Sequence, residues 1–112
     1  MIKIEIQRQN NRITYFEIKG HADFSGFGED VICAAVSSVG QMTINGLIET
    51  LKLQEKLEYV EKDGLITCDL KESELTDEEL EKADILIESM YSYLKDVAKS
   101  YKNFVKLREI KK

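Results

Sequence analysis

Residues 2 to 20 read IKIEIQRQNNRITYFEIKG, and the way this stretch pairs with itself decides what fold the rest can build. Both halves alternate apolar and polar residues with the period of two that marks a strand with one buried face. Ile2, Ile4 and Ile6 lie on the first half, Phe16 and Ile18 on the second. A two-residue Asn10-Asn11 turn sets Ile4 opposite Glu17 and Ile6 opposite Tyr15. Adding Arg12 to the loop sets Ile4 opposite Ile18 and Ile6 opposite Phe16, which keeps the apolar set on one face. The three-residue loop is therefore expected.

Beyond this hairpin, residues 30 to about 53 are apolar at almost every azimuth, with Ala34, Ala35, Ser37, Ser38 and Gly40 clustered early. A helix buried on several sides is expected, with Asp30 as its N-cap. Residues 55 to 62 and 65 to 71 flank Asp63-Gly64, a strong hairpin signal that sets Leu57 opposite Leu70 and Tyr59 opposite Cys68, with Ile66 on their side. Thr76-Asp77-Glu78-Glu79 is a capping box, and Leu75 and Leu80 stand where a hydrophobic staple needs them. Leu80, Ala83, Ile87, Met90, Tyr91, Leu94, Val97, Ala98 and Tyr101 follow helical spacing to about Lys102, and Phe104 to Ile110 suit a short final strand. The order β-β-α-β-β-α-(β) predicts an α/β protein of the α+β type. Its sheet is mostly antiparallel, of four to five strands, and is covered by two helices. No repeat, low-complexity stretch or proline marks a linker, so residues 1 to 112 read as one domain.

The chain has 16 basic and 21 acidic residues and a net charge of −5, which disfavours a phosphate-backbone partner. Residues 31 to 48 are interrupted by Ser, Gly, Gln, Thr and Asn, which reads as too polar for a membrane span, and the N-terminus lacks a secretory pattern. A cytoplasmic location is expected, with Cys33 and Cys68 reduced. Cys68 shares a strand face with Ile66 and Leu70 and reads as a buried structural thiol. The one His, two Cys and scattered carboxylates have no metal-ligand spacing, and no cofactor is expected.

Residues 20 to 37, GHADFSGFGEDVICAAVS, place the only imidazole, His21, and a helix-entry thiol, Cys33, on either side of a Gly-rich connection. With Asp30 as N-cap the thiol lies in the first helical turn, where the positive dipole end favours a thiolate. An imidazole brought beside it would add to that effect and supply a general base and acid. Gly26 and Gly28 allow the connection to turn, and Phe24 and Phe27 offer apolar contacts for a bound peptide. Set against this, a lone Cys at a helix start is more often a small core residue, and a lone His a satisfied polar one. Ser37, one turn beyond Cys33, is either a site residue or a small packing residue. Asp30 is more simply a cap than a third catalytic group.

The pattern Gly20-His21-Ala22, then Gly28-x-Asp30-x-x-Cys33-Ala34-Ala35-x-Ser37, resembles the ribosomal-processing cysteine proteases in content and spacing, and length and element order agree over essentially the whole chain. The resemblance implies a dyad in which Cys33 attacks the scissile carbonyl and His21 acts as base and then acid, with Asp30 and Ser37 supporting the site. It also implies a homodimer, and a substrate that is the N-terminal extension of large-subunit ribosomal protein twenty-seven, cut beyond a Gln at a Gln-Phe bond. Val31-Ile32 stands where Ile-Val is common, a conservative exchange. Backbone amides at the helix start, including that of Cys33, are the expected oxyanion donors. The rival readings are a non-catalytic ribosome-associated binding module and a thiol redox protein using Cys33 with Cys68. The lack of Cys-x-x-Cys counts against the latter.

Overall fold

The computed structural model describes residues 1 to 20 and 28 to 112. Ile2–Gln9 (β1) and Arg12–Lys19 (β2) form the expected antiparallel pair, with Ile4 opposite Ile18 and Ile6 opposite Phe16. The extra residue is not in the loop, however. Gln9 pairs with Arg12 across a two-residue Asn10-Asn11 turn, and the register shifts at a bulge between Gln7 and Arg8. Asn10 and Asn11 both have positive φ, 54° and 67°, the conformation a two-residue turn needs and Asn tolerates. The bulge then restores the apolar register. Ile2, Ile4, Ile6, Ile13, Phe16 and Ile18 are all buried, at about 2 kcal/mol each relative to exposure, so a one-residue slip would be costly.

Glu58–Lys62 (β3) and Leu65–Asp69 (β4) pair across Asp63-Gly64 with Lys62 opposite Leu65 and Tyr59 opposite Cys68. Leu57 and Leu70, each just beyond the ladder, are both buried. Val105–Lys111 (β5) pairs parallel to β1, giving a mixed five-stranded sheet of order β3-β4-β2-β1-β5. One sheet face is apolar and carries both helices. The other exposes charged side chains from alternate positions.

The second long helix, Asp77–Ser100 (α2), starts at the expected capping box. Glu79 N–H donates to Thr76 Oγ1 at 3.2 Å, and Thr76 N–H donates to Glu79 Oε1 at 2.9 Å. Ala83, Ile87, Met90, Leu94 and Val97 are buried, whereas Tyr101, placed on the apolar stripe from sequence, is the exposed C-cap. Twenty-four residues give α2 a length of about 36 Å, enough to carry the chain from β4 beneath the sheet to the far edge at β5. At that edge Arg8 donates to both carboxylate oxygens of Glu88 at 2.8 Å and lies 4.8 Å from the centre of the Tyr91 ring. This pins α2 to β1.

The central helix, Glu29–Asn45 (α1), continues as a π-helical turn, Gly46–Thr50. It departs from expectation in two ways. It is not buried on several sides: Val36, Gly40, Thr43, Ile44 and Leu47 face the interior, but Val31 and Met42 are each 69% exposed and Ala34, Ala35 and Ser38 lie open with them. A two-layer architecture covers only one side of a helix. Nor is the run too polar for a membrane span. By length and mean hydropathy, 1.5, Glu29–Thr50 meets that test, because four Ala and Gly residues and eight larger aliphatics outweigh its scattered Ser, Thr and Asn. Here the run packs on the sheet. A Cβ at Gly40 would lie 2.7 Å from Ile18 Cδ1 and 3.0 Å from Ile66 Cδ1, so the small residue sets how closely helix and sheet approach.

Candidate active site

The site is built where β2 ends and α1 begins. Gly20 N–H donates to the Gly64 carbonyl at 3.0 Å, tying the end of β2 to the β3–β4 turn. Gly20 has φ +127°, and a Cβ there would lie 2.4 Å from the Met1 carbonyl oxygen, so neither the backbone nor the space admits a side chain. Gly28, on the other side, is the N-cap of α1 with φ +101°. Glycines at positive φ thus bracket the connection. His21, Ala22, Phe24, Gly26 and Phe27, named from sequence, lie outside the described residues.

The start of α1 corrects the expected capping. Asp30 is not the N-cap: the cap is Gly28, no side chain among the described residues caps the helix, and Asp30 is its second residue, exposed. The left-handed glycine reverses the chain two residues early, and Ile32 N–H donates to the Gly28 carbonyl at 3.1 Å. Cys33 is therefore the fifth helical residue rather than part of the first turn. Its N–H belongs to the helical ladder, directed at the Glu29 carbonyl, so it is not the oxyanion donor expected from sequence. The first-turn amides of Asp30 and Val31, which have no helical acceptor by position, take that place as candidates.

The two thiols have opposite settings. Cys33 is half-buried: it packs on the core yet keeps part of its surface open. Cys68 is sealed on β4, as expected, and burial, with the neighbouring Asp69 charge adding to it, pushes its thiol up to about 12. Both are free thiols, as expected of reduced cysteines. Ser37, one turn after Cys33, is partly buried. It lines a groove of about 530 Å³ between α1 and the β3–β4 turn, and Gly20 lies on the same groove. The structure thus brings Gly20 and Ser37 to one groove, with Cys33 one helical turn before Ser37.

Sequence reading missed Glu29. It is 7% exposed, and its Oε1 accepts from the Met1 ammonium at 2.9 Å. The pair ties the start of β1 to the start of α1, across 28 residues of sequence. Nothing in the local pattern could announce it, because a carboxylate in a first helical turn is ordinarily explained by the helix dipole alone.

With this geometry described, comparison with known proteins gives a family. The model of the family described as cysteine protease Prp matches residues 1 to 106, the span that carries Gly20, Gly28, Cys33 and Ser37. The chain belongs to the Prp cysteine proteases. It is similar to the ribosomal processing cysteine protease Prp of Bacillus subtilis, with 34% identity over 104 residues and 92% of each chain covered. Among solved structures it resembles a Streptococcus mutans protein at 28% identity and TM-score 0.78, covering 100% of this chain and 96% of the other. It also resembles the essential ribosomal processing protease Prp of S. aureus, solved with a substrate peptide, at 22% identity and TM-score 0.77, covering 97% and 99%. The last likeness speaks for the fold. Membership of the Prp proteases makes the chain a peptide-bond hydrolase of the cysteine class, and it removes the redox reading. Of the two thiols Cys68 is closed to any substrate and Cys33 keeps open surface, which makes Cys33 the candidate nucleophile.

Proposed function

We propose that this protein removes the N-terminal extension of a large-subunit ribosomal protein precursor, the twenty-seventh, in the cytoplasm, where its thiols stay reduced. Cys33 Sγ attacks the scissile carbonyl after His21 takes the thiol proton. The same imidazole then protonates the leaving amine, and water releases the acyl group in a second step. The observation that carries the reading is the asymmetry of the two thiols: of the pair, only Cys33 has open surface, and it stands one helical turn before Ser37, which lines the groove. The name of the B. subtilis relative, a ribosomal processing protease, supports the substrate class.

Incubating the purified protein with a synthetic precursor peptide and weighing the products tests it. Two shorter products are expected from the wild type and none from Cys33→Ala or His21→Ala, with all three equally folded by circular dichroism. Turnover by Cys33→Ala would remove the assigned nucleophile, and an uncut peptide with the wild type would favour the non-catalytic binding module.

The exposed face of α1 supports the homodimer. Val31, Ala35, Ser38 and Met42 form an open, small-to-apolar stripe, turned away from the Ser37 and Gln41 side of α1, that a second copy of the helix could cover. Sedimentation is expected to give a dimer for the wild type and a monomer for Met42→Lys. A monomeric wild type at micromolar concentration would end this part of the proposal.

A further inference from the structure

Cys33, Ser37, Gln41 and Asn45 stand four residues apart on α1, each turned about 40° from the last, so the row winds from the half-buried Cys33 to the exposed Asn45. From Ser37 onward this row lines the groove, which continues past Asn45 to Ile48. The floor is Ile18 and Ile66, and the opposite wall is the Glu61 to Leu65 turn region. Cys33 to Asn45 spans about 18 Å of helix, the reach of about five residues of extended peptide. Gln41 and Asn45 are exposed, and among the described residues neither carboxamide has a side-chain partner. A carboxamide donates and accepts at once, which matches the alternating N–H and C=O of an extended main chain. The wall adds charge. Glu61 pairs with Ile66 in the ladder and so projects to the helix-bearing side of the sheet, while Lys62 and Asp63, which also line the groove at the turn, add one charge of each sign.

We propose that this groove is a substrate channel leading from Cys33, in which Gln41 and Asn45 hydrogen-bond the main chain of an extended peptide and Glu61 favours a basic side chain within it. The inference rests on the peptidase reading and adds the residues that determine specificity. The occupant is a basic segment of the precursor, since proteins that bind ribosomal RNA carry Lys and Arg for its phosphates. Ser37, one helical turn beyond Cys33, and Gly20 both line the groove, so a chain bound at Cys33 lies one turn from its near end.

Binding and cleavage are measured separately. On a Cys33→Ala background, which cannot cut, a fluorescent synthetic precursor peptide is titrated against the protein with and without Gln41→Ala and Asn45→Ala. Ala suits an exposed helix, so the fold is retained. Loss of two hydrogen bonds is expected to raise Kd about tenfold. Glu61→Lys is expected to weaken binding further at low salt, and to have no such effect on a peptide whose Lys and Arg residues are replaced by Ala. Unchanged Kd in the double variant, or no binding by the background protein, overturns the channel. A wild type that binds the peptide but never cuts it overturns the peptidase reading and leaves the channel standing. In the active enzyme the double variant is expected to raise KM with kcat nearly constant, a split that a folding defect would not give.

Discussion

The two long helices begin in contrasting ways. At α2 a side chain does the work: Thr76 and Glu79 satisfy each other's backbone amides within four residues, and Leu75 and Leu80 close the turn from outside. At α1 no side chain among the described residues caps, the cap is a glycine at φ +101°, and the Glu29 carboxylate in its first turn reaches away to the N-terminal ammonium. The α2 capping box closes within its own four residues, with Lys56 added to Glu79 from outside. The α1 start is held by partners far along the sequence, which suits a helix that must present Cys33 at a fixed place relative to the end of β2.

The sharpest way to break the contrast is Gly28→Ala. Among the described residues no atom lies within 4 Å of the position where a Cβ would stand, so the penalty expected is that of the backbone. A loss of about 1–2 kcal/mol is expected, read from the urea midpoint. Gly28→Asn is expected to recover part of it, since Asn tolerates positive φ better than Ala. An Ala variant as stable as the wild type would mean that the helix start does not need this conformation.

Thr76→Ala tests the other start and is expected to cost about 1 kcal/mol, the usual worth of a helix N-cap. The loss should be confined to α2. Hydrogen exchange is expected to quicken at the first-turn amides of α2 and to stay unchanged at those of α1. Equal acceleration at both would show that the two starts are coupled after all.

The same contrast explains what could be read in advance. The capping box, the Asp63-Gly64 turn, the apolar stripe of α2 and the pairing of Ile4 with Ile18 all depend on residues close in sequence or on strict alternation, and each stands as expected. The first hairpin shows the limit. Its register was legible from the apolar set, but the choice between a longer loop and a bulge was not, because both give the same inward face and only the positive φ of Asn10 and Asn11 decides. The N-cap of α1 was misplaced for a related reason: Asp30 is a better side-chain cap than Gly28, and the local rule had no knowledge of Gly20 against Met1 or of Glu29 under the N-terminus. Strand order was likewise beyond local pattern, since the parallel pairing of β5 with β1 joins residues about a hundred apart. Of the candidate site, Gly20, Cys33 and Ser37 were legible as a motif, and that Gly20 and Ser37 share a groove with Gln41, Asn45 and Glu61 was not, because the far wall comes from the β3–β4 turn.

The smallest effect expected is also the most specific to the α2 start. The Thr76 amide and, after it, Lys56 hold the Glu79 carboxyl below the usual carboxylate range. A folded value below the unfolded one means that the contribution to stability is fully present above the unfolded value and is lost as pH falls through the folded one. The wild type should therefore lose stability on acidification in that window partly through Glu79. Glu79→Gln keeps an oxygen for the Thr76 N–H but has no charge to titrate or to offer Lys56, whose ammonium lies 2.9 Å from Glu79 Oε1. It should be slightly less stable than the wild type near neutrality, and the gap should narrow as the solution is made acid, because protonation removes from the wild type what the substitution has already removed. Urea midpoints of both proteins across the acid range check this. Curves that stay parallel throughout would mean that the carboxylate serves the cap as a hydrogen-bond acceptor only, and that its charge adds nothing.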